Sequence, residues 1–208
     1  MSPVFERLIM SIIAFEGIDA CGKSTQIRML KEYAARNEIP CAQFNYPNYE
    51  SETGKKILEL LKSPDGTRDP LVLQSLMTAN RYEDQYMLRA LKNPEQKKEG
   101  IIILDRYWMS GMVYGRFDRL SLDWLLRVHE NLIQPDLWVV LDISVEESFR
   151  RRPHRMDAYE SNEERLQACR QYYRDAQDMI PDVALISGSR PAEEVHDMVL
   201  TRLLGEGL

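Results

Sequence analysis

Cysteine is scarce in this chain. Cys21, Cys41 and Cys169 are the only three in 208 residues. Their odd number and wide spacing exclude a disulfide framework and match no metal-binding pattern. They are expected as reduced thiols, which points to a cytoplasmic protein. Long hydrophobic runs are also lacking. Leu8 to Phe15 is the longest near the N-terminus, too short to span a bilayer. Its flanks lack the basic region and small-residue cleavage site of a signal peptide. No membrane partner is therefore expected. Basic charge is not in excess either, because the formal net charge is −6. An extended surface for a nucleic acid polymer needs a basic face, so that class is set aside. His129, His154 and His196 are isolated, and none is read as a ligand. Internal repeats, low-complexity tracts and interdomain linkers are missing. With 44% hydrophobic residues, residues 1–208 are expected to form a single domain around one substantial core.

What the chain does have is a phosphate-binding loop. Gly17-Ile18-Asp19-Ala20-Cys21-Gly22-Lys23-Ser24 fits G-x-x-x-x-G-K-[ST]. An apolar β-branched run leads into it and a helical pattern leads out. The glycines let the backbone curl with its N–H groups turned toward a phosphate. The helix that begins near Thr25 adds the partial positive charge of its N-terminus. Lys23 supplies a full charge for the β- and γ-phosphates, and the Ser24 hydroxyl is suited to Mg²⁺. The loop therefore predicts binding of a nucleoside triphosphate.

Apolar runs and helical patterns alternate along the rest of the chain. Strands are expected at Ile9–Phe15, Cys41–Tyr46, Ile101–Leu104, Leu137–Leu141 and Val183–Ile186. Helices are expected at Thr25–Arg36, Gly54–Lys62, Pro70–Leu91, Ser121–Ile133, Val145–Arg152, Asn162–Met179 and Pro191–Leu204. Pro70 and Pro191 suit first-turn positions, with Asp69 as the cap before Pro70. Such alternation predicts an α/β fold, a three-layer sandwich whose five-stranded parallel sheet is flanked by helices and crossed right-handedly. Ligands of such sheets sit at the carboxyl ends of the strands. Asp105 ends the third strand after four apolar residues, as a Walker B carboxylate does, and is read as the second metal-orienting group beside Ser24. Arg106 beside it can clamp a phosphate with two parallel hydrogen bonds. Ser110 and Gly111 are read as opening a turn close to a ligand, with Tyr114 presenting a ring or a hydroxyl.

These pieces together resemble the thymidylate kinase family. The matching segments are Phe15–Asp19 running into Gly22–Gln26, Tyr46-Pro47, Ala79-Asn80-Arg81, Asp105-Arg106-Tyr107 with Ser110-Gly111 and Tyr114, and Asp157-x-Tyr159-Glu160. The resemblance implies transfer of the γ-phosphoryl group of ATP to dTMP, with Mg²⁺, in a homodimer that serves dTTP synthesis. It implies that Asp19 lies near the deoxyribose 3′-hydroxyl and that Arg81 bonds the pyrimidine edge. Arg106 would grip the acceptor phosphate, while Ser110, Gly111 and Tyr114 line the acceptor pocket. Tyr159 would stack near C2′ and disfavour a ribose hydroxyl. The adenine would rest at Ser187–Arg190, which brings Arg190 to ATP.

Arg150, Arg151, Arg152 and Arg155 precede the Asp157 motif, where the family keeps a small lid, here about residues 150–160. Position 20, an arginine in some members, is Ala20 here. Arg151 first and Arg155 second are therefore read as delivering the missing charge to the transferring phosphoryl. Two departures bear on the acceptor. Tyr46-Pro47-Asn48-Tyr49 stands where many members read Phe-Pro-x-Arg, which puts Tyr49 in place of an arginine. Met77 stands where an aromatic commonly stacks on thymine, and its thioether can still pack on a ring. The principal expectation is dTMP as acceptor. The alternative is another deoxypyrimidine monophosphate, dUMP or a 5-substituted dUMP. A GTP switch would need an Asn-Lys-x-Asp reader, which the chain lacks. A non-catalytic nucleotide-binding protein would have no need of both Lys23 and Asp105.

Overall fold

The structure, a computed structural model, describes residues 10–62, 69–93, 99–152 and 162–205. Five strands, β1 (Ser11–Glu16), β2 (Cys41–Asn45), β3 (Ile101–Asp105), β4 (Leu137–Asp142) and β5 (Val183–Ser187), form one sheet. The order is β2-β3-β1-β4-β5, and every pairing is parallel. Parallel strands inside a sandwich are covered on both faces and so read as continuous apolar runs. Ile12, Ile13, Ala14 and Phe15 in β1 and Ile101 to Leu104 in β3 have no exposed surface. Each such isoleucine contributes about 2 kcal/mol by leaving water. β2, at the edge, is only half-buried.

The helices are α1 (Lys23–Arg36), α2 (Glu52–Lys62), α3 (Pro70–Tyr82), α4 (Gln85–Leu91), α5 (Trp108–Phe117), α6 (Leu122–His129), α7 (Val145–Arg151), α8 (Glu163–Asp175) and α9 (Ala192–Leu204). Asp69 caps α3, accepting from the Leu71 N–H at 2.8 Å. The strand and helix expectations hold to within a few residues at most ends, with three corrections.

The helix expected over Pro70–Leu91 is two helices, α3 and α4. Glu83 N–H still bonds Ala79, and Leu88 N–H starts the next ladder at Asp84. The Arg81 carbonyl between them is taken by the Gln85 side chain, whose Nε2 donates to it at 3.0 Å. The same amide donates to the Tyr107 hydroxyl and accepts from Ile133 N–H. A side chain thus stands in for the missing rung, a substitution that periodicity cannot report.

Ser110 and Gly111 do not open a turn; both lie within α5. Their glycine signal comes from close packing. A Cβ on Gly115 would come within 2.6 Å of Leu125 on α6, and one on Gly111 within 3.0 Å of His129. The third correction is at two helix ends. α6 stops at His129 rather than Ile133, and the last turn of the segment expected to reach Met179 is a 3-10 turn, Ala176–Asp178. The three cysteines are free thiols. No helix among the described residues is long and apolar enough to cross a membrane.

His129 closes α6 inside the core, stacked on Trp108 at 6.0 Å. One ring nitrogen meets the Leu125 carbonyl and the other the Thr78 hydroxyl. Burial, reinforced by the Arg81 charge, pushes its pKa from 6.5 down to about 3. The folded state therefore holds the ring neutral where the unfolded chain protonates it. The stability this contributes is complete above about pH 6.5 and is lost as pH falls toward 3. The His129 Cε1–H resonance should stay unshifted from pH 8 to 5 in an NMR titration; a midpoint near 6.5 would refute the assignment.

Candidate active site

The phosphate loop joins β1 to α1. Gly17 has φ 130°, Ala20 φ 57° and Gly22 φ 109°. At Gly17 a Cβ would sit 2.5 Å from the Leu141 carbonyl oxygen of β4, so the position admits glycine alone. Lys23 folds back over the loop. Its Nζ donates to the Gly17 and Ile18 carbonyls at 3.1 Å each and lies 3.5 Å from Cys21 Sγ. Ser24 and Asp105 line one cleft. They offer two hard oxygen donors, and no group of three or more acidic, histidine or cysteine ligands occurs among the described residues. Magnesium keeps several waters and takes the rest of its shell from phosphates, so this sparse pair fits it.

On the far side of Asp19 lies a cavity of about 210 Å³. Its walls come from the β2–α2 loop (Tyr46, Pro47, Tyr49), from α3 (Leu73, Gln74, Met77, Arg81), from the start of α5 (Ser110, Gly111, Tyr114) and from α8 (Arg165, Leu166). Asp19 of the loop and Arg106, which follows β3 and bonds the loop, both line the cavity. Arg106 has φ 61°, an unfavourable conformation for a side-chain-bearing residue. It aims the guanidinium back across the loop. There it donates to the Gly17 carbonyl at 3.2 Å, ion-pairs with Asp19 and reaches Ser110 Oγ.

Three spaced residues of α3 explain its wall. Gln74, Met77 and Arg81 stand at i, i+3 and i+7, which is one helical face. Arg81 is 2% exposed. It donates to the Met77 carbonyl, while its Nε finds no hydrogen-bond partner among the described residues. Burial lowers its pKa from the ordinary guanidinium value, and the charge of Glu16 opposes that. A buried cation that lines a cavity and keeps an unused donor suits an oxygen-bearing ligand.

Several residues that organise this site carry no strong signal in the sequence. Glu16, fully buried, accepts from the N–H groups of Tyr107 (2.7 Å) and Ser110 (3.1 Å) and from the hydroxyls of Ser110 (2.6 Å) and Tyr173 (3.1 Å). Burial pushes its carboxyl up, while the Ser110 hydrogen bond and Arg106 pull it back. α5 has no capping side chain of its own, so Glu16 caps it from β1. Asn80 is the second. Its side chain bonds both the N–H and carbonyl of Asn48, Ser51 Oγ and Thr53 Oγ1. It thereby fixes the loop that carries Pro47 and Tyr49. Arg165 is the third, 5.5 Å over the Tyr114 ring and 3.6 Å from Asp118. Only their position within the family segments (Phe15-Glu16-Gly17, Ala79-Asn80-Arg81) hints at the first two.

Arg151 is brought to the loop. It donates to the Ala20 carbonyl (3.2 Å) and the Gly188 carbonyl (2.8 Å) and pairs with Glu147 (2.6 Å). Arg152 reaches Asp19 at 3.4 Å. Arg190 pairs with Glu194 on α9, at 3.5 Å. Gly188 beside it packs so closely that a Cβ would lie 2.6 Å from the Cys21 carbonyl oxygen. Arg155 and Tyr159, with most of the expected lid, lie outside the described residues.

A phosphate loop that opens directly on a cavity with its own arginines defines a P-loop phosphotransferase of the nucleoside monophosphate kinase class. Comparison with known proteins makes this specific. Residues 15–199 match the thymidylate kinase family profile. The probable thymidylate kinase of Pyrococcus abyssi is 30% identical, covering 90% of this chain and 93% of its own. The thymidylate kinase of Homo sapiens is 27% identical, over 94% and 90%. The solved thymidylate kinase structure from Candida albicans shares the fold, with a TM-score of 0.79 at 24% identity over 92% of this chain and 89% of that one. The chain belongs to the thymidylate kinase family.

Glu16→Gln would leave one acceptor oxygen and set an amide N–H₂ against two hydroxyls. The variant should lose about 2 kcal/mol of stability in urea unfolding. A loss below about 0.5 kcal/mol, the range of ordinary surface changes, would show that Glu16 is not the anchor.

Proposed function

We propose that the chain transfers the γ-phosphoryl group of ATP to dTMP, giving dTDP and ADP. One observation carries the reading: Asp19 of the phosphate loop and Arg106, which is bonded to that loop, both line the cavity that also holds Arg81. Donor and acceptor phosphates are thereby brought to the same arginine. The alternative acceptors, dUMP or a 5-substituted dUMP, gain no support from the relatives, whose names specify thymidylate.

In this reading the loop N–H groups and Lys23 hold the β- and γ-phosphates. Lys23 gives up its carbonyl contacts to do so. Arg106 turns from Asp19 toward the acceptor phosphate and neutralises charge as it develops. Tyr46, Pro47, Tyr49, Ser110, Gly111 and Tyr114 enclose the nucleotide, Met77 packs on the base, and Arg81 donates to its O4. Asp19 takes the sugar hydroxyl. No strong general base is needed, because the acceptor phosphate is already anionic. Mg²⁺, held by Ser24 with Asp105 in its shell, would neutralise charge between the β- and γ-phosphates. Arg151, at the junction of Ala20 and Gly188, is suited to the donor nucleotide, with Arg155 and the rest of the lid closing from beyond it. Most of this is positioning and charge stabilisation.

A coupled ADP-release assay with ATP and Mg²⁺ should show turnover that depends on dTMP and exceeds that with dUMP, dCMP, dGMP or thymidine. ADP release indifferent to any acceptor would sink the reading. Arg106→Ala should lower kcat/KM by about 10²- to 10³-fold. Arg151→Ala should depress turnover more than ATP affinity; equal turnover in variant and parent would remove Arg151 from the reaction.

The homodimer belongs to the same proposal. Leu71, Val72, Tyr82, Tyr86 and Met87 on α3 and α4 are all exposed, and a second copy would cover such residues. Sedimentation equilibrium should give twice the 24.3 kDa chain mass; a monomer at micromolar concentration would contradict it.

A further inference from the structure

Gln74 lies one turn before Met77 on the cavity wall of α3 and is 3% exposed. Its Oε1 is fully buried and has no hydrogen-bond partner among the described residues. A buried amide oxygen without a donor costs about 1–3 kcal/mol, so such an atom calls for an explanation. Position matters here. Oε1 lies 3.4 Å from where a Cβ of residue 111 would be, and residue 111 is glycine. α5, packed beside the amide, therefore offers it no side chain at that point. The Gln74 amide occupies the space that a side chain at 111 would reach into.

We propose that Gln74 reads the N3–H group of the acceptor pyrimidine. The inference rests on the kinase reading, with Arg81 at O4. A 4-oxo pyrimidine presents an acceptor at O4 and, next to it, a donor at N3. Arg81, which can only donate, matches the first atom. An amide oxygen matches the second. The amide turns about its last torsion through a broad, low barrier, and Oε1 has no bond to lose in doing so. Cytosine would set its 4-amino group against the buried Arg81 cation and present a bare acceptor at N3. The pair therefore selects thymine and uracil over cytosine, while Met77 leaves the ring face loosely specified. Gly111 is required for a different reason from that expected. It leaves to His129 and the amide the space that a side chain would take, rather than bending the chain.

The test is steady-state kinetics with dTMP, N3-methyl-dTMP and dCMP on the parent, Gln74→Met and Gln74→Ala. Methionine keeps the length of the side chain without the hydrogen bond; alanine also gives room. One lost hydrogen bond of this kind corresponds to about tenfold. Both variants should raise KM for dTMP about tenfold with kcat changed less than about twofold. The parent should reject N3-methyl-dTMP by about 100-fold, the sum of a lost bond and a clash. In Gln74→Ala that penalty should shrink to below about tenfold. An unchanged KM for dTMP in Gln74→Met, or an undiminished N3-methyl penalty in Gln74→Ala, overturns the inference and leaves the kinase reading intact. The parent assay with N3-methyl-dTMP needs no variant, and full activity there overturns it as well. No transfer from the parent to any pyrimidine monophosphate overturns both.

Discussion

Glu16 stands where β1 enters the phosphate loop, wholly removed from water. A carboxylate in such a place is tolerated only when hydrogen bonds replace its hydration. Two backbone N–H groups at the start of α5 and the hydroxyls of Ser110 and Tyr173 do this. One side chain therefore ties the end of β1, the first turn of α5 and α8 at a single point. The α5 N-terminus also gains a negative charge where its dipole favours one. Arg106 is set one residue beyond Asp105 of β3, between Glu16 and the loop. Its left-handed backbone is sustained by the contacts that bracket it. The position of the guanidinium shared by loop and cavity follows from this buried acid.

The same arrangement makes the resting site self-satisfied. Arg106 and Arg152 both reach Asp19, and Lys23 is bonded to carbonyls of its own loop. The cations nearest the phosphate loop thus have internal stand-ins for phosphate. Substrate entry is then an exchange of partners rather than the burial of naked charge, which keeps the desolvation cost low. Arg81 is the exception, buried with an unused Nε, and in the proposed complex it serves the base rather than the phosphates.

Much of this is legible in the sequence because it rests on local patterns. The phosphate loop is set by glycine positions, and the buried strands by apolar runs. The Asp69 cap follows from the residue before a proline. The places of Met77 and Arg81 come from the family resemblance. What is not legible depends on contacts between distant residues. Glu16 meets Ser110 and Tyr173 across 94 and 157 positions. Gln85 replaces a helix rung by reaching an adjoining turn and two other segments. Gly111 suggests a turn in the sequence yet packs inside a helix, because glycine alone does not distinguish a bend from close helix packing.

The close approach of Gly188 to Cys21 has a mechanical meaning. The turn after β5 lies directly on the phosphate loop, and Arg151 is fastened to both. The phosphate loop and the turn after β5 are thereby held at one spacing. Across the cavity, Asn80 ties its loop and α3 into one wall. Even one added methyl at position 188 would push the turn off the phosphate loop, so the spacing between the two is set by the absence of a side chain.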